Sequence, residues 1–310
     1  MKESPFFEQA NLLLDIIPLL AKEPRWALKG GTAINFFIRD LPRLSVDIDL
    51  AWLPIEDRNT TLKNIHKVLQ KLKIQIYEEY PDTKVSVSYD KQEHFIRRLI
   101  VRRTGATIKI EPNFIFRGSV FPPERRLLSL RAQELFEKSM EAQVLSFADL
   151  YGSKICAALD RQHPRDLFDV KLLLENEGLT DNVRQAFLIY LISHNRPMAE
   201  LLRPNFKDLK QTFQEEFAGM TMVSVTPEEL LKILETLINK IHNTLTLDEK
   251  KFILSIKQGK PEWVLFPLKH IQHLPSVKWK LQNIERMDRV KHEDAFQKLV
   301  EVLNLSSPNE

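Results

Sequence analysis

The hydrophobic period changes once along this 310-residue chain, and that change limits the folds open to it. Up to about residue 145, apolar positions recur at spacings of both two and three to four, so strands and helices alternate. From Ser146 onward the spacing is helical almost throughout. The expected fold class is therefore α+β, with a small mixed sheet in residues 1–143 and an all-helical domain in residues 144–310. At 43% hydrophobic and 28% charged, the chain has enough apolar material for a sizeable core, and wholesale disorder is excluded.

Within the first part, Ser4-Pro5 reads as a helix start, Leu12, Leu13, Ile16, Ile17 and Leu20 repeat at helical spacing, and Pro24 ends that helix. Trp26-Ala27-Leu28 reads as a short strand. Lys29-Gly30-Gly31-Thr32 then turns the chain into a short helix over Ala33–Phe37. Leu62, Ile65, Leu69 and Leu72 predict a surface helix. Val85–Tyr89, Phe95–Arg103 and Ala106–Phe114 read as strands, the last two joined by the hairpin turn Thr104-Gly105. In the second part Ser146 and Asp149 resemble a capping box, while Pro164 opens a helix that Gly178 closes. The polar tail from Ser306 is expected to fray.

Cys156 is the sole cysteine, which excludes an intramolecular disulfide and a cysteine-based zinc site; a buried, inert thiol is expected. No apolar run is long enough to span a bilayer. One early lysine, Lys2, is soon followed by Glu8 and no small-residue cleavage site appears, so no secretory leader is expected and a cytoplasmic location is consistent. With 45 basic and 42 acidic residues, net charge neither requires nor excludes a nucleic-acid partner.

Ser45-Val46-Asp47-Ile48-Asp49 carries the sharpest chemical signal. Alternation puts Asp47 and Asp49 on one face of a strand anchored by Val46, Ile48 and Leu50. Adjacent carboxylates repel unless a cation sits between them, and oxygen ligands suit Mg²⁺. Gly30-Gly31-Thr32 lies upstream between a strand and a helix, where backbone N–H groups can cradle phosphate. Glu111 alternates with Ile108 and Ile110 on another strand and is a candidate third carboxylate. Together these make a metal-dependent phosphoryl-transfer site. The plainer alternatives are an exposed strand face, a tight glycine turn and a surface glutamate.

Leu28-Lys29-Gly30-Gly31-Thr32-Ala33 followed by Arg43-Leu44-Ser45-Val46-Asp47-Ile48-Asp49-Leu50 closely resembles the first motif of the AbiEii/AbiGii nucleotidyltransferase toxins, part of the DNA polymerase β-like superfamily. Ala148–Lys154 and Asp160–Asp169 resemble the family's later motifs. The resemblance spans roughly residues 25–175, and Gly31-Thr32 departs from the commoner Gly-Ser while keeping the hydroxyl. It implies a nucleotidyltransferase-like domain in residues 1–143 that uses an NTP and Mg²⁺, with two metal ions. The helical domain would contribute to the cleft. It also implies a protein that is often the toxin of a pair with a cognate antitoxin, and some members are similar to enzymes that add nucleotides to tRNA 3′ ends. By position, Gly30, Gly31, Thr32, Ser45, Lys154 and Asp169 would bind nucleotide. Asp47, Asp49, Lys154 and Asp166 would be catalytic, and Asp47, Asp49 and Glu111 would hold metal.

The second half has its own plain readings: Asp149 as a helix cap, Asp166 as a dipole-stabilised acid after Pro164, and Lys154 as the partner of a neighbouring acid. Arg97, Arg98, Arg102, Arg103, Arg117, Arg125, Arg126 and Arg131 form the densest basic stretch and suggest a local RNA-facing patch, the plainer reading being surface charge balanced by Glu124, Glu134 and Glu137. The leading expectation is NMP transfer to an RNA end. The alternatives are a protein or small-molecule acceptor, or a nucleotide-binding module without turnover.

Overall fold

A computed structural model describes residues 1–90 and 95–305; the tail from Ser306 lies outside the described residues. The chain divides into two compact units, Met1–Leu150 with Phe217–Ser224, and Tyr151–Glu216 with the chain from Val225 onward.

The first unit begins with α1 (Phe7–Leu20), which buries Leu12, Leu13, Ile16, Ile17 and Leu20. It starts later than Ser4-Pro5 suggests. Ser4 Oγ donates to the Gly219 carbonyl at 2.7 Å, a partner 215 residues away that no local pattern could reveal. Then come β1 (Trp26–Lys29), α2 (Gly30–Ala33) running into a π-helical turn (Ile34–Ile38), and β2 (Asp47–Trp52). The long α3 (Arg58–Glu79) is capped by Asp57, which accepts from Thr60 N at 3.0 Å. β3 (Lys84–Tyr89), β4 (Ile96–Arg103) and β5 (Ala106–Asn113) form an antiparallel meander. Thr104 (φ 47°) and Gly105 (φ 83°) make the β4–β5 turn, with the two positive φ values that a tight hairpin requires. β6 (Glu124–Leu127), α4 (Leu130–Phe136) and β7 (Glu141–Val144) follow, and α5 (Phe147–Arg161) starts here and continues into the second unit.

The sheet has seven strands in the order β3-β4-β5-β2-β1-β7-β6, larger than the small sheet expected. It is mixed: β2 pairs parallel with β5 and β1 parallel with β7, while the other pairs are antiparallel. Alternation gives it two faces. Ile48, Leu50, Leu99, Val101, Ile108 and Ile110 are all at most 1% exposed, on the side packed against α1 and α3. Each such burial contributes roughly 1.5–3 kcal/mol. The other side carries Asp47, Asp49, Lys109 and Glu111, brought level by the pairs Asp47↔Lys109 and Asp49↔Glu111.

Every described element of the second unit is helical: the rest of α5, α6 (Pro164–Asn176), α7 (Asp181–Ile192), α8 (Met198–Leu202), α9 (Lys210–Glu216), α10 (Pro227–Thr244), α11 (Leu247–Gln258), α12 (Pro275–Glu285) and α13 (Arg289–Val302), with short 3₁₀ turns before α12. Two capping boxes, Thr226 with Glu229 and Thr246 with Glu249, fix the starts of α10 and α11. Gly152 lets α5 touch α7, because a Cβ there would lie 2.6 Å from Phe187 N. Cys156 is buried, and burial pushes its thiol well above the ordinary range, as an inert core residue requires. Among the described residues no helix is long and apolar enough to cross a membrane.

Candidate active site

The Asp47/Asp49 strand and the glycine turn are neighbours in the first unit. β1 and β2 pair antiparallel with Lys29 opposite Asp49, so the turn that leaves β1 starts level with that carboxylate. Gly30 adopts φ +68°, and a Cβ there would collide with Asp49 Oδ2. Only glycine both accepts the backbone angle and leaves the carboxylate its space. Among the described residues no hydrogen bond or ion pair engages the Asp49 carboxylate. A half-buried carboxylate in that condition is a ready ligand for a cation.

Thr32 and Ser45 hold the turn to the strand. Thr32 Oγ1 donates to the Asp47 carbonyl at 2.6 Å and lies 3.0 Å from Ser45 Oγ. Their exposures are 1% and 6%, so the hydroxyls face inward and fix the spacing between turn and β2. Asn35 Nδ2 ties back to the Gly31 carbonyl at 2.9 Å. Sequence reasoning missed Arg43, which is only 2% exposed. Its Nη1 donates to the Leu44 carbonyl at 2.9 Å, and Nη2 would lie 2.7 Å from a Cβ on Gly31. Gly31 is thus required by a buried guanidinium as well as by any approach to phosphate. The signal was present in the sequence, as an arginine two residues before Ser45, but nothing local shows that it is buried.

Glu111 sits beside Asp49 in register, and its Oε1 lies 3.0 Å from Arg98 Nη1. Among the described residues no group of three or more His, Cys, Asp or Glu side chains is gathered closely enough to hold a metal. Asp49, Glu111, Lys29, Arg97 and Arg98 line a cleft of about 310 Å³ that Asn113 and Phe114 also border.

The basic stretch expected to face RNA is largely neutralised within the protein. Arg125 pairs with Glu141 and Arg126 with Glu124. Arg103 pairs with Asp15, and Arg117 is buried with Nη1 on Thr61 Oγ1 at 2.6 Å. Asp149, expected as a cap, does more: besides bonding Ser146 Oγ, its two oxygens accept from Val120 N and Phe121 N at 2.8 Å each.

In the second unit Lys154, Asp166 and Asp169 converge. Lys154 Nζ lies 2.8 Å from Asp166 Oδ1 and 3.1 Å from Asp169 Oδ2; the lysine is 6% exposed and both acids are fully buried. Arg161 closes the group with Nη2 on Asp166 Oδ1 at 3.0 Å. Two cations thus balance two anions. Burial would push the Asp166 carboxyl up, but the Lys154 and Arg161 charges beside it outweigh that and hold it well below the usual carboxylate range.

Gly30→Ala is expected to reduce catalytic turnover at least tenfold, because the new methyl must displace the Asp49 carboxylate. The left-handed backbone adds roughly 1–2 kcal/mol of strain. Turnover measured beside a thermal melt checks this: full turnover in the alanine variant means that the space around Asp49 is not needed.

No curated protein sequence matches the chain. Among solved structures it resembles MenT4, the nucleotidyltransferase toxin Rv2826c from Mycobacterium tuberculosis H37Rv, with a TM-score of 0.59 at 16% identity, covering 94% of this chain and 92% of that one. That likeness is one of fold. Residues 11–283 match the family described as nucleotidyl transferase AbiEii toxin of type IV toxin–antitoxin systems, and with the glycine turn and the Asp47/Asp49 strand in place the chain belongs to that family and is a nucleotidyltransferase.

Proposed function

We propose that the protein transfers a nucleoside monophosphate from an NTP to the 3′-terminal hydroxyl of an RNA, with tRNA as the leading acceptor, and that it acts as the toxin of a pair with a cognate antitoxin. The observation that carries this reading is the Asp49 carboxylate, unpaired among the described residues beside Asp47 and held open by Gly30. The donor set fits a hard divalent cation such as Mg²⁺: two carboxylates two residues apart on one face of β2, with space at Asp49 Oδ2 that a Cβ on Gly30 would fill. Asp47 and Asp49 would hold it, with Glu111 as a third candidate. When bound, such a cation offsets the negative charge that keeps a triphosphate and an attacking oxygen apart.

The chain's own residues supply placement. Thr32 and Ser45 fix the turn against β2, Arg43 braces it from behind Gly31, and the N–H groups of the turn approach the triphosphate. In the reaction the acceptor oxygen forms a bond to the α-phosphorus as the bond to pyrophosphate breaks, and the hydroxyl proton leaves to solvent. Following the resemblance, Lys154 is proposed to contact phosphate, with Asp166 and Asp169 holding its ammonium in place.

Incubation of the purified protein with each α-labelled NTP and total RNA tests the reading. Label on a discrete RNA from one or two of the four nucleotides is expected. Label on protein or small molecules instead would move the acceptor to another class. No label from any nucleotide would reduce the chain to a binding module.

A further inference from the structure

The sheet register sets four charged residues in one row across four strands. Lys29 on β1 lies opposite Asp49 on β2, Asp49 pairs with Glu111 on β5, and Arg98 on β4 falls one step beyond the Leu99↔Ile110 pair, level with Glu111. All four line the same cleft. The two carboxylates in the middle of this row are satisfied differently. Glu111 is taken up by Arg98 at 3.0 Å, whereas Asp49 is not engaged among the described residues.

Three features make the Arg98–Glu111 pair exchangeable. The two side chains are 33% and 36% exposed, and ion pairs with that much water contact contribute little. Arg98 Nε is buried without a hydrogen-bond partner, so the guanidinium keeps a donor that Glu111 does not use. A guanidinium fork matches phosphate oxygens better than it matches one carboxylate oxygen. Once released, Glu111 stands beside Asp49, where two carboxylates repel unless a cation lies between them.

Building on the proposed function, we propose that Arg98 is a phosphate-responsive positioning residue. It holds Glu111 until a nucleotide phosphate enters the cleft, then exchanges onto that phosphate and frees Glu111 to join Asp49 toward a divalent cation. Phosphate binding and cation binding thereby become linked, each favouring the other. The phosphate belongs either to the incoming triphosphate or to the acceptor strand.

Mn²⁺ affinity of the full chain, measured by electron paramagnetic resonance without nucleotide, tests the exchange. Arg98→Gln is expected to bind Mn²⁺ about fivefold more tightly than wild type, equivalent to ~1 kcal/mol. That gain is expected to vanish when Arg98→Gln is introduced into Glu111→Gln and compared with Glu111→Gln alone, a step in which a general change in charge would still tighten binding. Next, a non-hydrolysable NTP analogue and, separately, a short 3′-deoxy RNA are added, with Asp49→Asn correcting for Mn²⁺ held by the additive alone. Whichever one tightens Mn²⁺ binding in wild type but not in Arg98→Gln is the source of the phosphate. Equal affinity in wild type and Arg98→Gln, a gain that persists with Glu111→Gln, or tightening by neither additive overturns the exchange. If Asp49→Asn binds Mn²⁺ as well as wild type does, the proposed metal site falls, and the exchange falls with it.

Discussion

Asp49→Asn is expected to abolish nucleotidyl transfer, by at least about a hundredfold, while the protein melts at the same temperature or slightly higher. The carboxylate makes no stabilising bond among the described residues and lies level with Glu111 across the β2–β5 pair. Removing its charge relieves repulsion, so activity and stability should move independently. Asp47→Asn should lose activity to a similar degree. Its backbone carbonyl still accepts from Thr32, so the turn should keep its place. Steady-state rates beside a calorimetric melt separate the two effects. An Asp49→Asn protein with near wild-type turnover would remove that residue from the site.

Lys154→Ala is expected to be the most destabilising single change in the second unit, costing about 3–5 kcal/mol. It removes the ammonium that lies between two fully buried carboxylates, 2.8 Å from Asp166 Oδ1 and 3.1 Å from Asp169 Oδ2. The same cluster sets an acid limit on stability. Because the folded-state pKa of Asp166 lies below its ordinary value, its contribution is present above pH ~4 and is lost as pH falls through the folded value. The stability gap between wild type and Asp166→Asn should therefore be full at neutral pH and shrink in acid. Kinetics decide what else Lys154 does. If it touches phosphate as proposed, Lys154→Ala assayed at a temperature where it stays folded should lose about ten- to a hundredfold in nucleotide affinity or rate. A large melt shift with normal turnover would confine Lys154 to anchoring its helices.

Elements whose patterns are local were legible in the sequence. The β4–β5 hairpin announced itself through Thr104-Gly105, α6 through Pro164 and Gly178, and β2 through strict alternation. β7 was not: it is four residues long and joins the sheet by lying parallel to β1, through Leu28↔Val144. Nor was the return of Phe217–Ser224 to the first unit, where Leu44 N bonds the Met220 carbonyl at 2.8 Å. Pairings over that separation leave no trace in a window of ten residues.

The candidate site divides in the same way. Alternation placed Asp47 and Asp49 on one face, and the structure adds why Gly30 must be glycine beside them. What the sequence could not show was which charges are already matched. Arg98, Arg103, Arg125 and Arg126 read as one basic stretch, yet each has an acidic partner in the folded protein. Arg43 appeared in the sequence only as part of the motif before Ser45, and it is buried behind the turn. Pairing and burial are tertiary facts, and they decide whether a charge attracts a partner or holds the fold.

The most direct measurement is a crystal structure of the protein with Mn²⁺ and a non-hydrolysable NTP, with the metal located by anomalous scattering. The expected result is a metal peak within roughly 2.0–2.6 Å of carboxylate oxygens of Asp47 and Asp49, with the triphosphate against the turn at Gly30-Gly31. A metal–triphosphate complex bound elsewhere, with Asp49 still unengaged, would contradict the assignment of this site.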